Sequence, residues 1–142
     1  MLFYRVVNLV TGRGAYAHTD YCDQNNIDCK WRYELVNMSL RHGSTTNSRR
    51  TPCLFEDELL YDGWSHSVKE SREGNFEIFC FESINHFKNW FSHEERELLN
   101  DAGFKLMSFE CNVYNLYRRQ ATVPLNVFKQ CEVLEVTSLL GY

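Results

Sequence analysis

Two patterns of apolar residues follow one another along the chain. Continuous runs of strand length predict strands, and apolar residues at helical spacing predict helices. Residues 2–10 are rich in β-branched and aromatic side chains and contain no helix breaker, which predicts a strand. Gly12 and Gly14 favour a turn over residues 11–14, because glycine adopts backbone conformations that other residues avoid. Residues 15–25 are polar, and an irregular segment is expected there.

A helix is predicted over residues 26–40, with Gly43 as its terminator. The apolar residues at helical spacing are Ile27, Trp31, Leu35 and Met38. Two polar stretches, residues 43–52 and 65–74, are predicted to be exposed, flexible loops. The segment "FEDELLYDGW" between them is expected to hold a helical turn.

The clearest pattern is a strand–helix block in the second half of the chain. Residues 75–81 form an apolar run of strand length, and Ser83 is predicted to cap the helix that follows. The apolar face of this helix consists of Ile84, Phe87, Trp90 and Phe91. Ser92 and Glu95 have the spacing of a capping box, which predicts a second helix that ends at Gly103.

Three further strands are predicted over residues 104–113, 116–123 and 127–136, with Pro124 and Asn126 marking the turn between the last two. The elements together predict an α+β fold. We expect a single, mainly antiparallel sheet of four to six strands with two or three helices packed on it.

The composition fits a single domain over residues 1–142, a usual domain size. Hydrophobic residues make up 44% and aromatic residues 15%, enough for a self-sufficient core. The net charge is −4, and the basic pairs at 49–50 and 118–119 extend into no stripe. Direct nucleic-acid binding is therefore not expected. No apolar segment approaches the ~20 residues that span a membrane, so no membrane partner is expected.

The six cysteines are expected to be reduced and structural. Three of them, Cys80, Cys111 and Cys131, lie in apolar, strand-like runs, where a thiol packs as a small core residue. No C-x-x-C occurs, and Cys22 and Cys29 are spaced too widely for a zinc knuckle, so no metal is expected. The first ten residues lack the features of a secretory signal, which predicts a cytoplasmic protein.

No residue emerges as a confident catalytic group. None of the five histidines lies in a nucleophile elbow, and no H-E-x-x-H, Walker or G-x-G-x-x-G motif occurs. His86 and His93 fall on predicted helices, where a local structural role is the default. Trp64 follows Gly63 in a polar segment and is a candidate anchor for a partner.

Most of the chain resembles a family of small proteins encoded by tailed bacteriophages. The resemblance is carried by "YRVVNLVTGRGAY" (4–16), "TPCLFED" (51–57), "FCFESINHFKNWFSHEERELLNDAGF" (79–104) and "RRQATV" (118–123). The family often has His before the proline of the second motif, where this chain has Thr51. The resemblance attaches no activity to the chain, and it implies an accessory phage protein.

The chain also resembles the mono-ADP-ribosyltransferase fold. In order, Arg5, Ser83 and Gln120 occupy places similar to that fold's first-strand Arg, its Ser at a strand–helix junction, and its Glu opening a late strand. The resemblance implies NAD or a related nucleotide as ligand, with Arg5 on a phosphate. Gln120 is neutral where the fold has a carboxylate, which would remove most of the electrostatic stabilisation of the reaction.

Three classes of function follow. The first is a phage accessory protein that acts by binding, and modulates or inhibits a host or anti-phage defence macromolecule. The alternative is an ADP-ribosyltransferase-like protein that binds NAD or another nucleotide, and a structural virion component is a third reading. The candidate ligand-binding residues are Arg5, Tyr16, Ser83 and Gln120.

Overall fold

The computed structural model describes residues 1–42 and 77–142. The strands are β1 (Leu2–Asn8), β2 (Glu77–Cys80), β3 (Phe104–Glu110), β4 (Asn115–Leu116), β5 (Ala121–Pro124) and β6 (Val133–Thr137). The helices are α1 (His18–Gln24), α2 (Arg32–Arg41), α3 (Ile84–Trp90), α4 (His93–Asp101) and α5 (Leu125–Phe128). The predicted loops at 43–52 and 65–74, the helical turn between them and Trp64 lie outside the described residues.

The strands form two three-stranded antiparallel sheets. Sheet A has the order β1-β3-β6 and sheet B the order β2-β5-β4. The two backbones meet where Tyr4 and Phe81 exchange two hydrogen bonds of 2.8 Å. The predicted α+β class is confirmed, whereas the prediction of a single sheet is wrong, because β2 pairs with β5 rather than joining β1 and β3 along their length.

Two hydrophobic cores lie on opposite sides of sheet A, because side chains alternate along its strands. The helical core includes Val6, Phe104 and Leu106 of the sheet together with residues of α1 to α4. The inter-sheet core lies between the two sheets. Its buried members are Phe3, Cys80, Phe109, Cys111, Ala121 and Val123.

The helix boundaries of the second half are set by local signals. The Ser83 hydroxyl accepts a hydrogen bond of 3.1 Å from the backbone N–H of His86, which confirms it as the cap of α3. Ser92 and Glu95 form both hydrogen bonds of the predicted capping box at the start of α4. Gly103 ends α4 with a φ of +93°, a conformation that favours glycine.

The first half departs from the prediction at two places. Residues 18–24 form α1, although an irregular segment was expected. The predicted helix over residues 26–40 begins six residues late, at Arg32, because Asn26 and Trp31 both have positive φ. Such residues interrupt a right-handed helix.

The late strands also differ from the prediction. Residues 116–123 were expected to form one strand, but a turn in which the Tyr117 N–H donates to the Gln120 carbonyl separates β4 from β5. The start of the predicted strand 127–136 falls within α5, and β6 begins at Val133. The hydrogen bond from the Lys129 N–H to the Leu125 carbonyl closes this helical turn.

Candidate functional site

A chain of hydrogen bonds links four side chains beside the helical core. The indole N–H of Trp90 donates to Tyr16 Oη (2.5 Å), and Tyr16 Oη lies 2.5 Å from His42 Nδ1. His42 Nε2 lies 2.7 Å from Glu95 Oε2. These residues are called the Tyr16 network below, and its members Trp90, His42 and Glu95 are buried.

Each member of the Tyr16 network comes from a different segment. Tyr16 follows the turn after β1, His42 caps the C-terminus of α2, and Trp90 is the last residue of α3. Glu95 lies in the first turn of α4, where its Oε1 accepts the N–H of Ser92 at 2.9 Å. The network therefore fixes the positions of α2, α3 and α4 relative to the end of β1.

The hydrogen-bond partners assign the protons of the Tyr16 network. Tyr16 Oη accepts from Trp90, and its own O–H can donate to His42 Nδ1. His42 then carries its proton on Nε2 and donates it to Glu95. In this arrangement each contact joins one donor to one acceptor, and Glu95 is ionised.

The pKa values of Glu95 and Tyr16 agree with this arrangement. Burial raises the pKa of Glu95, but hydrogen bonds from His42 and Ser92 outweigh it and hold this pKa at about 2. Burial raises the pKa of Tyr16 far above its usual range, against a smaller opposite effect of the Trp90 hydrogen bond. Glu95 is therefore a carboxylate, and Tyr16 a neutral phenol, at neutral pH.

The Tyr16 network can hold segments of the chain in position. A His–carboxylate pair can orient a general base, but a general base needs a ring nitrogen that faces a substrate. Here Tyr16 occupies Nδ1 and Glu95 occupies Nε2, so neither nitrogen is available. The network holds segments together and offers no proton acceptor to a ligand.

Replacing Tyr16 with phenylalanine tests this assignment. The change leaves the indole N–H of Trp90 without an acceptor and His42 Nδ1 without a donor, and we expect a loss of about 1–3 kcal/mol in the free energy of unfolding. Urea denaturation measures it. Tyr33→Phe, at an exposed position of α2, is the matched control and should change little. Equal effects of the two substitutions would contradict the assigned hydrogen bonds.

The four candidate ligand-binding residues do not contact one another. No hydrogen bond, ion pair or ring contact within residues 1–42 and 77–142 joins any two of Arg5, Tyr16, Ser83 and Gln120. Tyr16 belongs to its network, and the Ser83 hydroxyl is engaged as a helix cap. Gln120 is buried, and its carbonyl closes the turn before β5.

Arg5 lies on the side of sheet A that faces sheet B. Its Nη1 donates to the Phe79 carbonyl at 2.7 Å, and the guanidinium lies over the Phe128 ring, 5.8 Å from the centroid. A Cβ at Gly14 would lie 2.9 Å from Arg5 Nη2, so the guanidinium packs closely against Gly14 and would shift to admit a side chain there. Burial lowers the pKa of Arg5, yet the group remains charged at neutral pH. These contacts give Arg5 a structural role between the sheets.

A second polar cluster lies in the helical core and was not predicted from the sequence. His18 and Cys22 lie one turn apart on α1, and Cys29 approaches them from the segment before α2. The ring nitrogen and two sulfur atoms all lie within 4.8 Å of one another, and all three residues are buried. Burial lowers the pKa of His18 and, together with the nearby Cys29, raises that of Cys22. We call these residues the His–Cys cluster.

The sequence signal for the His–Cys cluster was the i, i+4 spacing of His18 and Cys22. This spacing brings the two side chains to one face only in a helix, and an irregular segment was expected over residues 15–25. The earlier expectation of no metal rested on spacing along the sequence. The structure shows that Cys29 nevertheless folds back onto α1.

The fold and these clusters define a small α+β protein in which buried polar groups connect the helices to one sheet. The family model described as Bacteriophage T4 Y00F protein matches residues 1–137, and the chain belongs to that family. The predicted phage family is thereby confirmed. No curated protein and no solved structure gives a significant match.

The family match lends no support to the resemblance to mono-ADP-ribosyltransferases, which stays a prediction. None of the helices in the two described ranges has the length and apolar character needed to cross a membrane.

Proposed function

We propose that this phage protein is an accessory protein that acts by binding a host or defence-system protein. We further propose that it takes up an extended segment of that partner along strand β6. The observation that carries the proposal is the position of β6 at the edge of sheet A, with β3 as its only neighbouring strand in the described part of the chain.

The β6 edge is unusually apolar. Val133, Leu134 and Val136 are 45%, 47% and 46% exposed. An edge strand has unpaired backbone donors and acceptors, and natural proteins normally protect such edges with charges, proline or a covering element. An edge strand with several exposed apolar side chains is typical of a surface that accepts another strand.

The charges on this edge restrict the partner. Glu132 and Glu135 are exposed beside the apolar residues, and the chain as a whole has a net charge of −4. The complementary partner segment is extended and carries apolar side chains together with Lys or Arg. Such a segment pairs its backbone with β6, while its cations lie near the two carboxylates.

Binding through β6 is tested with an identified partner. Host proteins cross-linked to the intact chain are identified and purified, and the binding constant of each candidate is then measured with wild type and variants. Val136→Lys is expected to weaken binding at least about tenfold, because it adds a like charge against the basic segment and removes apolar contact. Val36→Lys is the matched control, since Val36 is 41% exposed on α2.

Three outcomes would overturn the proposal. Val136→Lys and Val36→Lys could weaken binding equally, which would place the interface elsewhere. No binary complex with a host protein could form although the chain is folded. The chain could also associate with itself through β6, and light scattering would then show a dimer that Val136→Lys dissociates.

A further inference from the structure

The His–Cys cluster has the donor set of a transition-metal site. Zinc binds thiolate sulfur at about 2.3 Å and imidazole nitrogen at about 2.0–2.1 Å in tetrahedral geometry, so its ligand atoms lie about 3.5–3.8 Å apart. Cys22 Sγ lies 3.6 Å from His18 Nε2, within that range. All three ligand atoms lie within 4.8 Å of one another, so rotations of these side chains can bring them to one ion.

The contact of Thr11 with the second nitrogen of His18 supports the same reading. Thr11 Oγ1 lies 2.9 Å from His18 Nδ1 and also accepts the N–H of Arg13 at 3.3 Å. With Nδ1–H donating to Thr11, Nε2 carries the lone pair. Cys22 Sγ lies 3.6 Å from Nε2 and 3.9 Å from Nδ1, so the ring has to turn to direct that lone pair at an ion shared with the sulfur. Metal-ligating histidines are commonly held in this way, with the second ring nitrogen donating to a neighbouring oxygen.

We propose that His18, Cys22 and Cys29 bind one zinc ion, with a water or another exogenous ligand in the fourth position. Two thiolates and one imidazole favour zinc over magnesium or calcium, which prefer oxygen ligands. Two thiolates also neutralise the charge of Zn²⁺, which suits a buried site. On binding, two Zn–S bonds and one Zn–N bond form, and the two thiol protons pass to the buffer.

A zinc ion here would connect three consecutive segments of the first half of the chain. Thr11 belongs to the turn after β1, His18 and Cys22 to α1, and Cys29 to the segment before α2. This proposal concerns the inside of the helical core and is independent of binding at the β6 edge. The competing reading is a thiol that donates to Nε2 of His18 within a metal-free core.

Cobalt and zinc titration of the reduced, full-length protein distinguishes the two readings. We expect one Co²⁺ per chain with a thiolate-to-cobalt charge-transfer band, and displacement of the cobalt by zinc. Cys22→Ser and Cys29→Ser should abolish that band. Loss of a contact that only supports a metal ligand weakens binding about 10–100-fold. The two cysteine variants should weaken zinc binding by more than that. Cys131→Ser is the control, since Cys131 lies beside the inter-sheet core, and should leave binding unchanged.

Thr11 provides a finer test of the same site. Thr11→Val should weaken zinc binding about 10–100-fold with the cobalt band still present, and Thr11→Ser should restore wild-type affinity. If the cysteine variants fail to fold, X-ray absorption of the zinc-loaded wild-type chain should show two sulfur ligands and one imidazole. Zinc ligated without sulfur, binding unaffected by Cys22→Ser and Cys29→Ser, or no stoichiometric binding would each overturn the proposal.

Discussion

Replacing Phe109 with alanine is expected to lower the free energy of unfolding by about 3–5 kcal/mol. Phe109 is fully buried between the two sheets. Its ring centroid lies 5.8 Å from that of Phe3 and 4.9 Å from that of Phe128. The substitution removes these contacts and leaves a cavity that a sheet-on-sheet interface cannot easily close. Urea denaturation measures the loss.

Tyr33→Ala is the control for this prediction, because it also replaces an aromatic ring by alanine. Tyr33 is 74% exposed on α2, and its replacement should change the free energy of unfolding by no more than about 0.5 kcal/mol. A small loss for Phe109→Ala would mean that the inter-sheet core does not hold the two sheets together.

Replacing Glu95 with alanine is expected to destabilise the protein by about 2–4 kcal/mol. The change removes the acceptor of the buried His42 Nε2–H and the acceptor of the Ser92 N–H at the start of α4. A buried donor without a partner costs about 1–3 kcal/mol, and loss of a helix cap about 1 kcal/mol. Glu97→Ala, four residues from His93 on the exposed face of α4, is the matched control and should have a small effect.

The contribution of Glu95 should depend on pH in the acid range. Its pKa is about 2 in the folded protein, below the ordinary value of 4.5, so it stabilises the fold fully above pH 4.5. That contribution is lost as the pH falls from 4.5 toward 2. The stability difference between wild type and Glu95→Ala should therefore narrow over this window. A difference that is constant with pH would contradict an ionised Glu95.

Local signals were enough to predict the helices of the second half. The hydroxyls of Ser83 and Ser92 bond to backbone groups only three residues away, so their roles could be read from the sequence. The first half lacked such signals. Neither the residue before α1 nor the one before α2 makes a side-chain cap, and α1 buries only His18 and Cys22. A polar helix of seven residues has no apolar stripe to reveal it.

Long-range pairing explains the incorrect number of sheets. Strand character was predicted for residues 75–81 and 104–113, but which strands pair depends on contacts between distant residues. Strands β1 and β3 of sheet A contribute buried residues to both sides, to the helical core and to the inter-sheet core, so their apolar pattern does not indicate a single packed face. The segment 127–136 begins inside α5, whose four residues are too few to show a helical period.

The Tyr16 network could not be predicted for the same reason. The capping box identified Glu95, but its hydrogen bond to His42 joins residues 53 positions apart. Tyr16 was predicted to bind a ligand, and the structure places it in hydrogen bonds with Trp90 and His42. Hydrogen-bond partners that are far apart in the chain are brought together by tertiary packing, which cannot be read from a single sequence.

The backbone link between Tyr4 and Phe81 has a consequence for hydrogen exchange. The N–H of Tyr4 points away from β3 and is protected only while Phe81 stays in place. Amides in the centre of β3 are held by neighbours on both sides and should exchange only when the whole domain opens. If sheet B detaches first, Tyr4 and Phe81 will exchange together with β2 and β5, although Tyr4 belongs to β1. Their exchange rates would then report a partial opening in which sheet A is still formed.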